Sequence, residues 1–346
     1  MSKSVDTRFP WTQKRSRLLI ALAVALILTI GLLLGWRHAR SEQNTASDAV
    51  LIVGDQRGGA HALLTAAGEL KDVPYHIEWA IFPAASPLLE ALGAGAIDIG
   101  GIGGAPFAFA YASGSSIKAV HAYRLQSSRG SAIVVRKNAP FRTLANLKGR
   151  KLATIRGSAG QDLALRLLER AGVKPADIQW VYLSNGEAKA ALDAGSIDAW
   201  STWGSYVGIA VQENGDRILA DGSGFPGSIG FYAANDAAIA KKRALLADYV
   251  QRLTRARTWA LKHPKDYAAV LAKETGLPFN IALFSIESIL GRAVPIDKGV
   301  IDEQVAIFER YRRADIISKV PDVQSGYDPS FNDAVRAAER KSVAMK

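Results

Sequence analysis

Cysteine is absent from this chain of 346 residues. Its absence excludes disulfide bridges, zinc sites built from thiolates, thiol nucleophiles and the attachment of a lipid through an N-terminal cysteine, although it does not identify the compartment. The five histidines show neither the spacing of metal ligands nor the pairing of a base with a nucleophile. The sequence therefore predicts no metal, no cofactor and no catalytic residue.

A long run of lysine and arginine is also missing from the globular part of the chain. The formal net charge is +11, but part of it belongs to the first 47 residues, and the remaining basic residues are scattered. A nucleic-acid-binding protein concentrates its basic residues in a patch or stripe, so the charge pattern argues against such a partner. With 49% hydrophobic and 22% charged residues, the composition is that of a globular protein with room for two domains.

The long apolar run of the chain, from Leu18 to Trp36, contains no charged residue. It is long enough to cross about 30 Å of hydrocarbon. Basic residues precede it, so residues 1–17 are predicted to stay in the cytoplasm and the rest to be exported to the periplasm. Residues 18–36 are either an uncleaved signal anchor in the inner membrane, favoured by the poor cleavage site, or a cleaved signal peptide. Residues 37–48 are a polar linker.

One short motif occurs twice, about a hundred residues apart. Leu92–Gly100 and Leu192–Trp200 share the core Leu-x-Ala-Gly-small-Ile-Asp, and the likeness extends back to Ile77-Glu-Trp-Ala-Ile and Ile178-Gln-Trp-Val-Tyr. Each copy has the order strand, helix, glycine turn, strand, which is a βαβ unit with parallel strands. The repeat therefore predicts two similar α/β lobes.

The repeat also pairs individual residues. Trp79 and Trp180 occupy equivalent positions and are predicted to be core residues. Asp98 and Asp198 follow the glycine turns and are predicted to brace them without contacting a ligand.

Six segments in a fixed order carry a resemblance to a known family: Ile97–Gly100, Ser131–Val135, Leu144–Ala153, Gly157–Ser158, Gly195–Trp203 and Ile218–Gly222. Over about residues 49–315 the chain resembles the substrate-binding proteins of ABC importers for aliphatic sulfonates, taurine and nitrate. The resemblance implies the α/β, two-lobed type II periplasmic-binding-protein fold, with two strands crossing between the lobes. Residues 49–134 and 228–346 would form lobe 1, and residues 135–227 lobe 2. The implied partners are a small anion such as an alkanesulfonate and an ABC permease.

The architecture suggests where the anion binds. Ligands of open α/β sheets lie beyond the carboxyl ends of the strands, and helices that start there offer free N–H groups to an anion. Ser86 and Ser158 are expected to cap two such helices, the latter in a capping box with Gln161. Trp203 is expected to cover an apolar tail, while Arg124 could instead pair with an acidic residue. The predicted ligand-binding residues are Gln56, Arg57, Gly58, Phe82, Ser86, Gly103, Gly104, Ala105, Arg124, Gly157, Ser158, Ala159 and Trp203.

Other functions stay open at this point. The family often has an acidic residue and a proline after the tryptophan that matches Trp203, whereas this chain has Gly204-Ser205. The change argues against a ligand with an ammonium group, such as taurine. Nitrate or a thiamine-precursor pyrimidine remain alternative ligands. An enzyme of the same fold is a further alternative, but the desulfinases that resemble these proteins depend on a cysteine. A membrane-tethered sensor or scaffold is the third class.

Overall fold

Strands and helices alternate along the chain. The computed structural model describes residues 49–56 and 58–344. Its strands are β1 (Val50–Gln56), β2 (His76–Phe82), β3 (Ile99–Gly103), β4 (Ile117–Leu125), β5 (Ser131–Val135), β6 (Lys151–Thr154), β7 (Gln179–Tyr182), β8 (Ala199–Trp203), β9 (Arg217–Asp221), β10 (Ile229–Asn235) and β11 (Gly291–Val294). Its α-helices are α1 (Ala60–Ala66), α2 (Ala85–Gly93), α3 (Gly104–Ala112), α4 (Ala159–Arg170), α5 (Asn185–Asp193), α6 (Ser205–Gln212), α7 (Asp236–Lys241), α8 (Arg243–Ala260), α9 (Pro264–Thr275), α10 (Phe279–Ile289), α11 (Lys298–Arg313) and α12 (Asn332–Ala344).

The predicted membrane segment 18–36 lies outside these residues, together with the basic segment 1–17 and the linker 37–48. Between residues 49 and 344, with Arg57 left aside, no helix combines the length and the apolar character needed to cross a membrane.

The strands form two mixed sheets. The first has the order β11-β4-β10-β3-β1-β2, and the second has the order β7-β6-β8-β5-β9. In the first sheet β1 runs parallel to β3, while β10 runs antiparallel to both β3 and β4. In the second sheet β6 runs parallel to β7 and β8, while β5 runs antiparallel to β8 and β9. The same arrangement of strands thus occurs in each lobe, as the repeated motif predicts.

The paired aspartates brace the two lobes in the same way. Asp98 accepts a hydrogen bond from the backbone N–H of Ile52 at 2.7 Å, and Asp198 accepts one from the N–H of Lys151 at 2.9 Å. Each carboxylate thereby ties the turn before β3 or β8 to the neighbouring parallel strand. Asp98 also forms an ion pair with Lys242 at 2.7 Å. The predicted bracing role agrees with these contacts.

The lobe boundaries differ in detail from the prediction. β5 belongs to the second sheet, so placing residues up to 134 in lobe 1 is wrong. The chain leaves the first sheet after Leu125 and enters the second at Ser131, then returns between Asp221 and Ile229. The two crossing segments pack closely, because a Cβ on Gly227 would lie 1.7 Å from the carbonyl oxygen of Leu125.

Trp79 and Trp180 are half-buried, so the prediction that they are core residues is wrong for Trp79 and holds only in part for Trp180, which packs against the core of the second lobe. They lie on β2 and β7, which are edge strands of their sheets. An edge strand is covered on fewer sides than a central one. Trp79 packs edge-on against His61, and Trp180 donates a hydrogen bond from Nε1 to the carbonyl oxygen of Pro175 at 3.0 Å. Among the tryptophans that the structure describes, Trp200, on the central strand β8, is fully buried.

Helix α10 and strand β11 were not predicted. α10 packs against α6 of the second lobe, where a Cβ on Gly208 would lie 3.1 Å from the ring of Phe284 and 3.3 Å from Ile281. β11 pairs with β4 at the edge of the first sheet. The chain after residue 275 therefore contacts both lobes.

Candidate functional site

A cavity of about 1030 Å³ lies between the two lobes, at the carboxyl ends of β1, β3, β6 and β8. Most of the residues predicted to bind the ligand line it: Gln56, Gly58, Ser86, Gly103, Gly104, Ala105, Gly157, Ser158, Ala159 and Trp203. They come from both lobes, so a ligand in the cavity contacts each lobe at once.

Two predicted residues, Arg124 and Phe82, do not line this cavity. A third, Arg57, lies outside the described residues. The guanidinium of Arg124 forms a double hydrogen bond with the carboxylate of Glu303, at 2.9 and 2.6 Å, and also contacts the carbonyl oxygen of Gly227 at 3.3 Å. Arg124 therefore takes the alternative role of pairing with an acid. Phe82 packs against the core of the first lobe.

The loop before α1 is not a free anion site. The carboxylate of Asp55 accepts hydrogen bonds from the backbone N–H groups of Ala60 at 2.7 Å and His61 at 3.0 Å. Asp55 is only 2% exposed, and its burial raises the pKa of the carboxyl to about 6. Because a carboxylate already occupies the N-terminus of α1, the predicted contribution of the Arg57 loop to anion binding is not supported there. The side chain of Gln56 is also engaged, since its Nε2 donates to the carbonyl oxygen of Gly101 at 3.2 Å.

Helix α2 starts one residue earlier than the expected cap. Its N-cap is Ala84, and no side chain caps it, so Ser86 is the second helical residue. The prediction that Ser86 caps this helix is therefore wrong. The first N–H groups of a helix have no acceptor within it, and those of Ala85 and Ser86 lie in the lining of the cavity.

Helix α3 also starts in the cavity wall without a side-chain cap. Its N-cap is Gly103, and Gly104 is the first helical residue. A Cβ on Gly104 would lie 2.6 Å from Nε2 of Gln304 and 2.9 Å from the carbonyl oxygen of Ile229. Glycine is therefore required here for the close approach of α11 and β10. Gln304, which sequence reasoning missed, is buried in the lining.

Helix α4 has the predicted serine cap. Ser158 Oγ accepts a hydrogen bond from the N–H of Gln161 at 3.2 Å. The side chain of Gln161, however, accepts from the N–H of Gly157 at 2.7 Å, and the N–H of Ser158 donates to the carbonyl oxygen of Ile155 at 3.2 Å, so the predicted capping box is wrong. These two N–H groups are consequently unavailable to a ligand. Ala159, at the first helical position, keeps an N–H without an acceptor in the helix.

The apolar part of the lining adjoins Trp203. This residue ends β8, and Tyr206 and Ile209 on α6 follow it into the cavity wall. Ile289 and Leu290, at the end of α10, line the same cavity. Such a surface suits a hydrocarbon chain, because burying apolar area from water is favourable.

Most charged residues in the lining form ion pairs with other residues of the protein. Asp162 forms a short ion pair with Arg310 and lies 3.9 Å from Arg166. Glu303 pairs with Arg124. In contrast, the lining residue Arg257 stacks on Tyr123, with 3.2 Å between Cζ and the ring centroid. Sequence reasoning missed it because nothing in the local pattern of α8 distinguishes a buried arginine from an exposed one.

No metal site is evident in the part of the chain that the structure describes. There, no three side chains of histidine, aspartate or glutamate come together in a group that could hold an ion. The donors in the cavity are N–H groups, hydroxyls and arginine, which suit an anion better than a cation.

Comparison with known proteins identifies the family. A family model described as NMT1/THI5 like matches residues 80–267, more than half of the chain. A putative aliphatic sulfonates-binding protein of Escherichia coli (strain K12) is 32% identical over 268 residues, which make up 77% of this chain and 82% of that relative. The chain belongs to the NMT1/THI5-like family.

Solved structures agree with this membership. The alkanesulfonate-binding protein SsuA from Xanthomonas axonopodis pv. citri, bound to MOPS, matches with a TM-score of 0.75 at 28% identity, over 82% of this chain and 99% of that one. The periplasmic aliphatic sulphonate binding protein SsuA from Escherichia coli matches with a TM-score of 0.72 at 28% identity, over 82% and 93%. The predicted two-lobed periplasmic-binding-protein-like fold is confirmed. These relatives are named as binding proteins and not as enzymes.

Proposed function

We propose that this protein is the extracytoplasmic substrate-binding component of an ABC importer and that it captures an aliphatic sulfonate. The relatives described above carry names that specify sulfonate binding. Their likeness covers most of both chains, so the proposal concerns the whole folded part. A permease of the inner membrane is the partner that follows from this function.

The position of three helix starts is the observation that most strongly supports an anionic ligand. Three helices start in the cavity wall, α2 and α3 in the first lobe and α4 in the second. The N-terminus of a helix carries a partial positive charge and free N–H donors. A sulfonate presents three acceptor oxygens at fixed charge, so it can be bonded by donors of both lobes simultaneously.

The size of the cavity supports an organic anion. Ligand cavities typically measure about 300–1,000 Å³, and this cavity of about 1030 Å³ is far larger than nitrate needs. The apolar surface of Trp203, Tyr206 and Ile209 would cover the hydrocarbon chain of a sulfonate. Nitrate, the smaller alternative, would leave that surface without a partner.

A ligand that contacts both lobes would also change the shape of the protein that the permease meets. An anion that accepts hydrogen bonds from α3 and α4 draws the two lobes together about the crossing segments 126–130 and 222–228. Hinged closure around a ligand is a common way to distinguish the loaded from the empty state. Small-angle scattering should therefore give a smaller radius of gyration in the presence of ligand.

A thermal-shift screen of the full chain tests the function. The panel comprises alkanesulfonates of two to six carbons, taurine, nitrate and a hydroxymethyl pyrimidine. A ligand at a hundred times its Kd stabilises the folded state by about 2.7 kcal/mol, which raises Tm by a few degrees. We expect alkanesulfonates to raise Tm and nitrate to leave it unchanged. A rise with the pyrimidine alone would refute the sulfonate proposal and favour that alternative.

The location is proposed from the sequence and the relatives together. The segment 18–36 would hold the protein at the outer face of the inner membrane, unless it is cleaved. Mass spectrometry of the native protein should find residues 1–36 still attached. A mature N-terminus near Asp48 in every molecule would refute the anchor and leave export intact.

A further inference from the structure

Arg257 is a buried charge in the wall of the cavity. It lies on α8 and is only 8% exposed. Within the described part of the chain, no carboxylate oxygen lies within 4.0 Å of its guanidinium, and its Nε has no hydrogen-bond acceptor. An isolated buried cation is costly for a protein unless a partner of opposite charge or good hydrogen bonds compensate it.

Neighbouring arginines on the same helix are fully engaged. Arg252 pairs with Asp248 at 2.7 Å and donates to the backbone carbonyl of Glu69 at 2.7 Å. Arg255 pairs with the carboxylate of Glu69 at 2.7 Å. Both therefore have structural partners on the protein. Arg257, which lines the cavity, has no such carboxylate partner among the described residues, and its side chain is hydrogen-bonded to the hydroxyl of Tyr232.

The surroundings of Arg257 are aromatic and neutral. Its Cζ lies 3.2 Å from the ring centroid of Tyr123 and 5.9 Å from that of Tyr232. Burial and the charge of Arg257 lower the pKa of His121 to about 3, so this neighbour stays neutral at physiological pH. A stacked cation gains some attraction from the ring, but the edge of the guanidinium still carries donors that a ring face does not satisfy.

Two glycines make room for this cluster. A Cβ on Gly230 would lie 2.3 Å from the ring of Tyr123, and one on Gly101 would lie 2.9 Å from the ring of Tyr232. Glycine at these positions of β10 and β3 therefore leaves space for the two tyrosine rings. Tyr123, Tyr232 and Arg257 all belong to the lining.

The acids of the lining do not neutralise Arg257. Asp162 and Glu303 form ion pairs with other arginines, and Glu90 is exposed. Asp55 accepts hydrogen bonds from the start of α1. A charge of the opposite sign can therefore reach Arg257 from the cavity side, as part of the ligand.

We infer that Arg257, with Tyr123 and Tyr232, forms a second anion subsite and that the ligand is a sulfonate carrying another acidic group, such as a carboxylate, at its far end. The inference rests on the proposed sulfonate function and specifies its substrate class. The sulfonate is bonded at the starts of α3 and α4, and the second acid is bonded by the guanidinium. A cavity of about 1030 Å³ has room for a ligand with two polar ends.

Calorimetric titration of the full chain with two matched ligand series tests the inference. One series consists of alkanesulfonates of two to six carbons, and the other has the same chains ending in a carboxylate. At the chain length that spans the two subsites, the carboxylate should increase affinity about ten- to hundredfold, as expected for hydrogen bonds to a charged group. Without a cation to receive it, the second charge would lose its hydration and weaken binding.

Variants locate the effect. Arg257→Met should abolish the gain from the carboxylate and leave the affinity for simple alkanesulfonates within about threefold. Arg255→Met is the matched control on the same helix, and it should leave the ratio between the two series unchanged. Arg257→Lys keeps the charge and should retain part of the gain. If the methionine variant fails to fold, the comparison of the two series on wild type and on Arg257→Lys still tests the subsite.

The outcomes separate the two proposals. If alkanesulfonates bind but their carboxylate-ended counterparts bind no more tightly at any length, the subsite is refuted and the sulfonate function stands. The subsite is also refuted if Arg257→Met weakens both series equally, because the arginine would then only support the fold. If neither series binds, the sulfonate function itself is wrong, and the subsite falls with it.

Discussion

The buried carboxyl of Asp55 makes a prediction about stability and pH. Its carboxylate lies in the cavity wall, and burial raises the pKa in the folded protein to about 6 from the ordinary value of 3.8. Hydrogen bonds from Ala60 and His61 lower the pKa but do not offset burial. The side chain of His61 is directed to Glu274, with 2.8 Å between Nδ1 and Oε1. Replacement of Asp55 by asparagine removes the titration and keeps the shape of the side chain.

The direction in which stability changes with pH follows from proton binding in the folded and unfolded states. Between pH 3.8 and about 6 the folded protein holds a proton on Asp55 that the unfolded chain has released. The contribution of this group to the free energy of unfolding therefore falls as the pH rises through that window, and it is constant above it. The difference between the two pKa values corresponds to about 3 kcal/mol.

The assay is urea unfolding of wild type and Asp55→Asn between pH 4 and pH 7.5. The stability of the variant relative to wild type should increase by up to about 3 kcal/mol from the acidic to the neutral end. Glu187→Gln is a control of opposite sign, because hydrogen bonds from Ser184 lower the pKa of Glu187. Its stability relative to wild type should decrease as the pH rises. A difference between Asp55→Asn and wild type that does not change with pH would refute the account of Asp55.

Three further predictions concern the cavity and the crossing segments. Trp203→Ala should weaken the binding of long-chain sulfonates more than that of short ones, by about 0.8 kcal/mol for each CH₂ that the indole covers. An equal loss of binding free energy at every chain length in calorimetry would show that Trp203 does not contact the hydrocarbon chain. Gly227→Ala should lower the free energy of unfolding by more than about 2 kcal/mol, since its methyl carbon would lie 1.7 Å from the carbonyl oxygen of Leu125. Gly186→Ala, in open space on α5, should instead stabilise slightly. Anion affinity should rise as the pH falls through about 6, because protonation of Asp55 removes a like charge from the wall; calorimetry should find this rise lost in Asp55→Asn.

The repeated motif predicted the fold because each copy is a local pattern. The residues Leu-x-Ala-Gly-small-Ile-Asp encode a helix end, a turn and a buried strand within a few positions. The structure accordingly has two sheets with the same central order, each with an aspartate bonded to the neighbouring strand. Helix starts at Gly104 and Ala159 were predictable for the same reason, since their glycine and serine signals are local.

Other features depend on partners that are distant in sequence. Arg124 is paired with Glu303, which lies 179 residues away in the sequence. The sequence of β4 alone therefore does not show that Arg124 has an acidic partner instead of a ligand. Arg257 lies on a helix of the C-terminal half and stacks on Tyr123 of the first sheet, so the sequence around it does not reveal its burial. Trp79 and Trp180 were placed in the core because their patterns do not reveal that β2 and β7 are edge strands. The sequence also does not show that the side chain of Gln161 accepts a hydrogen bond from the N–H of Gly157. This bond makes that N–H unavailable to a ligand.

Backbone amide shifts report directly on the N–H groups that bind the anion. A sulfonate bonded at the starts of helices from both lobes must shift the resonances of those amides. Deuterated, ¹⁵N-labelled full-length protein should be titrated with propanesulfonate while the amide resonances are followed. The largest downfield shifts should be those of Ser86, Gly104 and Ala159, with small shifts at Gly157 and Ser158, whose N–H groups already have acceptors in the protein. Saturable binding that leaves the amides of Gly104 and Ala159 unshifted would contradict the account.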